Sequence, residues 1–223
     1  MATPVEGVYV ITGVGLWPRR GHAEIARAAV EAEASLLQLR QKEGSTAELL
    51  RVAEELRQIT LGTPTRFIVN DRVDIALAVG ADGVHLGDED LPVHHARRLM
   101  GPSAIIGASV ATEQEVRDAE TDGASYLGVG PIYATGTKSD AGDEVGLEQI
   151  RRFRAITRLP IVAIGGITAS RAGEVGAAGA NSIAVISAVA AAESPLRAIL
   201  ELEAAFRYGR SSARGPGVGE PTG

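Results

Sequence analysis

Polar side chains able to hold anions or metals recur in this chain just behind short apolar runs. QLRQK at 38–42 alternates so that Gln38, Arg40 and Lys42 share one side of an extended segment, since successive strand residues point to opposite faces. RFIVND ends in Asn70 and Asp71, and HLGDEDLP at 85–92 supplies His85, Asp88, Glu89 and Asp90. AIIGAS ends at Ser109, and YATGTKSDAG at 133–142 sets Thr135, Thr137 and Lys138 among glycines directly after YLGVGPI. PIVAI runs into Gly165 and Gly166, and SIAVIS closes on Ile186 and Ser187.

The chemistry these groups suggest is the handling of phosphate and diphosphate. Asp71 with one of the HLGDED acids makes a hard-oxygen pair suited to Mg²⁺ that keeps waters and substrate oxygens. Arg40, Lys42 and Lys138 would neutralise the remaining negative charge. The glycine pair and Ser187 suggest a second anion site, where backbone N–H groups at a helix start receive a monophosphate. Two anion sites imply two phosphorylated substrates or one substrate with two phosphates. Other mechanisms find no purchase: there is no cysteine, no G-x-S-x-G elbow and no H-E-x-x-H. Plainer roles exist for single members of the set. Asp71 stands where a helix cap would, His85 where a satisfied semi-buried histidine would, and the paired glycines where a tight turn would. Yet all of them fall at the ends of strand-like runs, which chance would not arrange.

Eight such runs alternate with amphipathic stretches: GVYVIT, SLLQLR, RFIVN, GVHLG, AIIGASV, YLGVGP, PIVAIGG and SIAVIS. Most are apolar throughout, the pattern of strands covered on both faces in a parallel sheet. Gly80-Ala81, Gly123-Ala124 and Gly179-Ala180 each end a helical stretch before a strand. The spacing predicts an α/β fold, a single (β/α)₈ TIM barrel with a parallel eight-stranded core, in preference to a doubly wound open sheet. In such a barrel all strand C-termini open on one face, which holds the active site. The expected organisation is a barrel over 1–208 and a disordered Gly/Pro/Ser-rich tail over 209–223.

Composition sets the outer limits. The chain has 223 residues, 45% hydrophobic, with a formal charge of −6, which argues against a nucleic-acid surface. Val175 to Ala192 lacks charge, but Gly176, Gly179, Asn181 and Ser182 break it, so no membrane span is expected. MATPVEGVYVITG lacks the basic and apolar regions of a signal peptide, and a cytoplasmic location is expected.

QLRQK, VND at 69–71, HLGDEDLP, GPIYATGTKSDAG at 130–142, AIGGIT at 163–168 and AVIS at 184–187 together closely resemble the thiamine-phosphate synthase family, in order and across residues 7–207. The resemblance implies a (β/α)₈ barrel transferase that joins 4-amino-5-hydroxymethyl-2-methylpyrimidine diphosphate to 4-methyl-5-(2-phosphooxyethyl)thiazole, or its 2-carboxy form, with release of diphosphate. It implies Mg²⁺ on Asp71 and Asp90. It further implies that Gln38, Arg40, Lys42, Asn70, Ser109 and Lys138 hold the pyrimidine diphosphate, with Arg40, Lys42 and Lys138 acting on the leaving group. Thr135, Gly136, Thr137, Gly166, Ile186 and Ser187 are implied around the thiazole phosphate.

Two places depart from the family pattern. The fifth strand is usually followed by G-x-S-x-H, and here Ala111 stands where the histidine is common. After the first strand the usual Thr-Asp is replaced by Thr12-Gly13 and the loop VGLWPRRG. The competing readings are a thiazole tautomerase-like relative and a non-catalytic phosphate-binding barrel. Neither needs the complete set of carboxylates and cations.

Overall fold

The computed structural model describes residues 5–13, 20–136 and 143–213. All eight expected strands form: β1 (Gly7–Gly13), β2 (Leu36–Arg40), β3 (Arg66–Asn70), β4 (Gly83–Leu86), β5 (Ile105–Ser109), β6 (Tyr126–Val129), β7 (Ile161–Ile164) and β8 (Ser182–Val185). Each pairs in parallel with the next, and β1 pairs with β8 through Gly7↔Ser182 to Val10↔Val185, so the sheet is a closed barrel. That closure excludes the open-sheet alternative.

Helices α1 (His22–Glu31), α2 (Thr46–Thr60), α3 (Val73–Val79), α4 (Val93–Met100), α5 (Glu113–Thr121), α6 (Gly146–Ile156) and α7 (Ala169–Ala177) return the chain between strands. After β8 come the short α8 (Ser187–Ala190) and the long α9 (Pro195–Ala213). Ser45 and Glu48 form a capping box at the start of α2, and Thr112 and Glu115 repeat it at α5. The three expected helix-stopping glycines, Gly80, Gly123 and Gly179, all have positive φ, a conformation that costs glycine little. The apolar stretch from 175 to 192 is divided among the end of α7, β8 and α8, and among the described residues no helix is long and apolar enough to cross a membrane.

Strand parity sorts the core into two compartments. Val8, Val10, Leu37, Leu39, Phe67 and Val69 face outward into the layer under the helices. Tyr9, Ile11, Leu36, Ile68, Tyr126, Val162 and Ala184 fill the barrel interior. Register then lines up Asn70, His85, Gly107 and Tyr126 across four neighbouring strands.

The expected tail boundary needs correction. Helix α9 continues through Gly209 to Ala213, five residues past Tyr208, so only 214–223 of the expected tail lies outside the described residues. Composition suggested nothing to bury there, but Gly209 is itself buried against the backbone of Gly173 in α7. Arg210 donates to the carbonyl of Asn181 at 3.0 Å and lies 5.7 Å from the Phe206 ring centroid. Tertiary contacts of Gly209 and Arg210 thus accompany the helix past Tyr208.

A Cβ at position 209 would sit 1.8 Å from the carbonyl oxygen of Gly173, so the two helices approach this closely only because residue 209 is glycine. Gly209→Ala should therefore destabilise the protein by about 1–3 kcal/mol through overpacking, despite alanine's better helix propensity. A fall in the urea unfolding midpoint checks this; an unchanged or raised midpoint would show that the helices part without cost.

Candidate active site

A cavity of about 810 Å³ opens at the C-terminal ends of the strands, and every strand contributes to its wall. Gln38, Arg40, Lys42, Asn70, Asp71, Asp90, Ser109, Thr135, Gly166, Ile186 and Ser187 all line it. Parallel strand direction brings them together: residues far apart in the chain share a rim because each lies toward the C-terminal end of a strand or just past it. Gly136 is described and follows Thr135 but does not line the cavity. The expected positions Thr137 and Lys138 lie outside the described residues, as does most of the VGLWPRRG loop.

Asp71 does not cap α3. The cap position is Arg72, without a side-chain cap bond, while Asp71 takes the left-handed region at φ 63 and its N–H donates to the carbonyl of His85 at 2.8 Å. That turn directs the Asp71 carboxyl onto the carboxyl of Asp90, within hydrogen-bonding reach. Asp90 is itself tethered, with one carboxylate oxygen accepting the Gly87 N–H at 2.7 Å. Burial pushes Asp71 up to about 6, and the Asp90 carboxyl adds to the rise, while Lys42 and Arg40 pull it back down. Two acids held face to face beside two cations form a site that gains from a bound cation. Among the described residues no group of three or more His, Asp or Glu side chains gathers into a metal cage. A pair of carboxylates is nevertheless the donor set that suits Mg²⁺, which keeps waters and substrate oxygens on its other positions.

On the opposite wall the glycine turn has a packing reason. Gly165 and Gly166 have φ of 101° and 63°, and a Cβ on either would lie under 3.0 Å from Pro131 or Tyr133. Arg171 ties the two loops together. Its guanidinium lies 4.5 Å from the centroid of the Tyr133 ring and donates to the Gly166 carbonyl at 3.0 Å. Burial pushes the Tyr133 phenol up to about 12, with the Glu174 carboxylate contributing. Thr135 and the glycine turn thus belong to one braced unit.

Ala111, the position where the resembled family commonly has a histidine, puts a methyl group on the cavity wall. Its backbone is held from both sides: the N–H donates to Glu115 at 2.6 Å and the carbonyl accepts from Gln149 at 3.2 Å.

Sequence reasoning missed Tyr9 and Tyr126, which line the cavity floor. Strand parity carried the only signal, since Tyr9 shares its side with Ile11, and Tyr126 shares its side with Gly128. A phenol inside an apolar strand reads as core until register shows that its hydroxyl meets the site. His85, weighed in the sequence as a satisfied histidine, is bonded on both ring nitrogens and also faces the cavity.

The family whose model matches this chain is thiamine monophosphate synthase, over residues 8–189. A curated thiamine-phosphate synthase from Methanospirillum hungatei is 53% identical over 183 residues, covering 82% of this chain and 89% of that protein. One from Moorella thermoacetica is 50% identical over 186 residues, covering 83% and 89%. Among solved structures, thiamine phosphate pyrophosphorylase from Pyrococcus furiosus is 40% identical with a TM-score of 0.82, covering 93% of this chain and 98% of that one. From the match along most of the barrel and relatives about half identical in sequence, it follows that the chain belongs to the thiamine monophosphate synthase family.

Proposed function

We propose that this chain, a thiamine-phosphate synthase by family and so a transferase, joins 4-amino-5-hydroxymethyl-2-methylpyrimidine diphosphate to 4-methyl-5-(2-phosphooxyethyl)thiazole or its 2-carboxy form, releasing diphosphate. The observation that carries this reading is the Asp71–Asp90 pair on the cavity wall, with Arg40 and Lys42 close enough to act on its charge. Mg²⁺ held by the two carboxylates would supply positive charge against the diphosphate.

The residues divide by substrate. Arg40 and Lys42, with Lys138, pair with the diphosphate oxygens and stabilise the charge that builds as the leaving group departs. Gln38, Asn70 and Ser109 hydrogen-bond the pyrimidine diphosphate, and the partial burial of the wall strengthens each contact. Thr135, Gly136, Thr137, Gly166, Ile186 and Ser187 receive the thiazole phosphate through hydroxyls and backbone N–H groups. The aminopyrimidine ring donates electrons to its exocyclic methylene, so the C–O bond ionises before the thiazole nitrogen attacks. A chain without cysteine or an activated serine is suited to this, because no protein nucleophile is required. What the protein supplies is fixed charge and alignment of two rings in one cavity.

Mixing both substrates with Mg²⁺ should give thiamine phosphate and diphosphate in equal amounts, and a chelator should abolish both. Diphosphate release without coupling, or thiazole isomerisation alone, would replace this reading with one of a relative of different activity. Asp71→Ala and Lys138→Ala should each lower turnover by about a hundredfold or more. Wild-type turnover in both would remove the roles given to these residues.

The acidic pair also predicts a conflict between stability and function. Asp71 holds its proton more tightly folded than unfolded, so in metal-free protein its contribution to stability is present below its ordinary value of 3.8 and is lost as pH rises through about 6. Asn tolerates the left-handed backbone at this position. Asp71→Asn should therefore raise the melting temperature of metal-free protein at pH 7 while lowering activity. Equal or lower stability than wild type under chelation would mean that the carboxylates do not oppose each other.

A further inference from the structure

Below the carboxylates, the cavity floor holds a continuous chain of polar groups from five strands. The Gln38 amide Nε2 lies 2.6 Å from the Tyr9 hydroxyl, and that hydroxyl lies 3.0 Å from the hydroxyl of Tyr126. The Tyr126 hydroxyl is 3.0 Å from His85 Nδ1, and His85 Nε2 is 3.1 Å from Ser109 Oγ. Both phenols are essentially inaccessible to water, whereas Ser109 at the far end is exposed in the cavity.

The strands leave room for this chain at some cost in side chains. A Cβ at position 107 would sit 2.1 Å from Tyr126 Cζ and 2.5 Å from His85 Nδ1, and one at position 128 would sit 3.0 Å from His85 Cε1. The His85 and Tyr126 rings stack at 5.5 Å and 17°, and Tyr9 meets Tyr126 edge-on at 6.0 Å and 81°. The imidazole is thus held between two glycines and a phenol, with Nδ1 bonded to Tyr126 and Nε2 to Ser109.

We propose that His85 is a positioning residue, locked by this chain as the Nε2–H tautomer so that the Ser109 hydroxyl becomes a dedicated hydrogen-bond donor to the anionic ligand in the cavity. The direction follows from counting protons. An amide nitrogen only donates, so Gln38 donates to Tyr9. The phenolic proton of Tyr9, shut away from water, goes to the Tyr126 oxygen, and the proton of Tyr126 goes to His85 Nδ1. A nitrogen that accepts carries no proton, so the neutral ring carries its one proton on Nε2 and gives it to Ser109 Oγ. Ser109 accepts there and has its own proton left for the cavity. Run in the opposite sense, the chain brings two donors to Tyr9 and leaves its buried proton without an acceptor, which is the costly arrangement. His85 therefore acts on a ligand through Ser109. This rests on the synthase reading only for naming that ligand as the pyrimidine diphosphate.

The tautomer can be read directly, without any activity. In wild-type protein with ¹⁵N-labelled histidine, two-bond ¹H–¹⁵N correlation at pH 8 should show His85 with a bare Nδ1 and a protonated Nε2. A protonated Nδ1, alone or in an imidazolium, would overturn the proposal. Tyr126→Phe removes the group that pins Nδ1, and this variant should show loss of the single tautomer. It should also raise KM for the pyrimidine diphosphate by about tenfold, in keeping with one lost hydrogen bond to a charged group. Because both changes disable one donor, Tyr126→Phe combined with Ser109→Ala should bind no more weakly than Ser109→Ala alone. Fully additive effects would mean that the chain does not act through Ser109. Should the protein fail to couple these substrates at all, the functional reading falls while the nitrogen signals still decide the tautomer.

Discussion

Closure of the barrel between β1 and β8 is the constraint on which the other features rest. One short parallel ladder, from Gly7↔Ser182 to Val10↔Val185, turns an alternating α/β chain into a ring. Once the ring is closed, all strand ends point to one mouth, and residues as distant as Gln38 and Ser187 come to share a wall. The same closure limits the interior to a few large side chains, so each inward position must be filled or left empty in agreement with its neighbours. Gly107 and Gly128 are empty because Tyr126 and His85 are full.

Within that frame the site is assembled from opposed charges that the fold brings together against their own preference. Asp71 and Asp90 are both tethered through backbone bonds, one by its own N–H and the other by that of Gly87. The bond from Gly87 holds the Asp90 carboxyl in place, and Arg40 and Lys42 only partly offset the repulsion that Asp71 meets there. Such a wall is suited to a ligand that arrives with a cation and carries negative charge of its own. Neutralisation is then completed by binding and does not need to exist beforehand. Preorganisation extends to the other wall, where Arg171 braces the Tyr133 loop against the glycine turn.

The layout also shows how polar and apolar demands are reconciled along a strand. On β2, Leu36 plugs the interior, Gln38 joins the buried hydrogen-bond chain and Arg40 reaches the cavity, each two residues further toward the mouth. The gradient from apolar plug to charged rim therefore runs within single strands. Buried polar groups are tolerated on the floor because every phenol and imidazole nitrogen there has a partner.

Much of this was legible in the chain. Eight apolar runs separated by amphipathic stretches determined the alternating strands and helices, because their periods are written locally in side-chain order, while closure of the sheet needed the β1–β8 ladder. Polar residues at the strand ends determined most of the cavity wall, since in a parallel barrel those ends have only one place to go. Other matters were settled only by tertiary structure. Whether Asp71 caps a helix or meets Asp90 depends on a left-handed turn that its sequence neighbours do not dictate. The close approach of α9 to α7 depends on Gly209 lying against the backbone of Gly173, a contact between residues far apart in the chain. The part played by Tyr9 and Tyr126 depends on register across the ring, which places two phenols and an imidazole in one line. Local order selects the elements; only the closed ring selects which of their side chains meet, because that choice depends on distances between residues that the linear chain leaves independent.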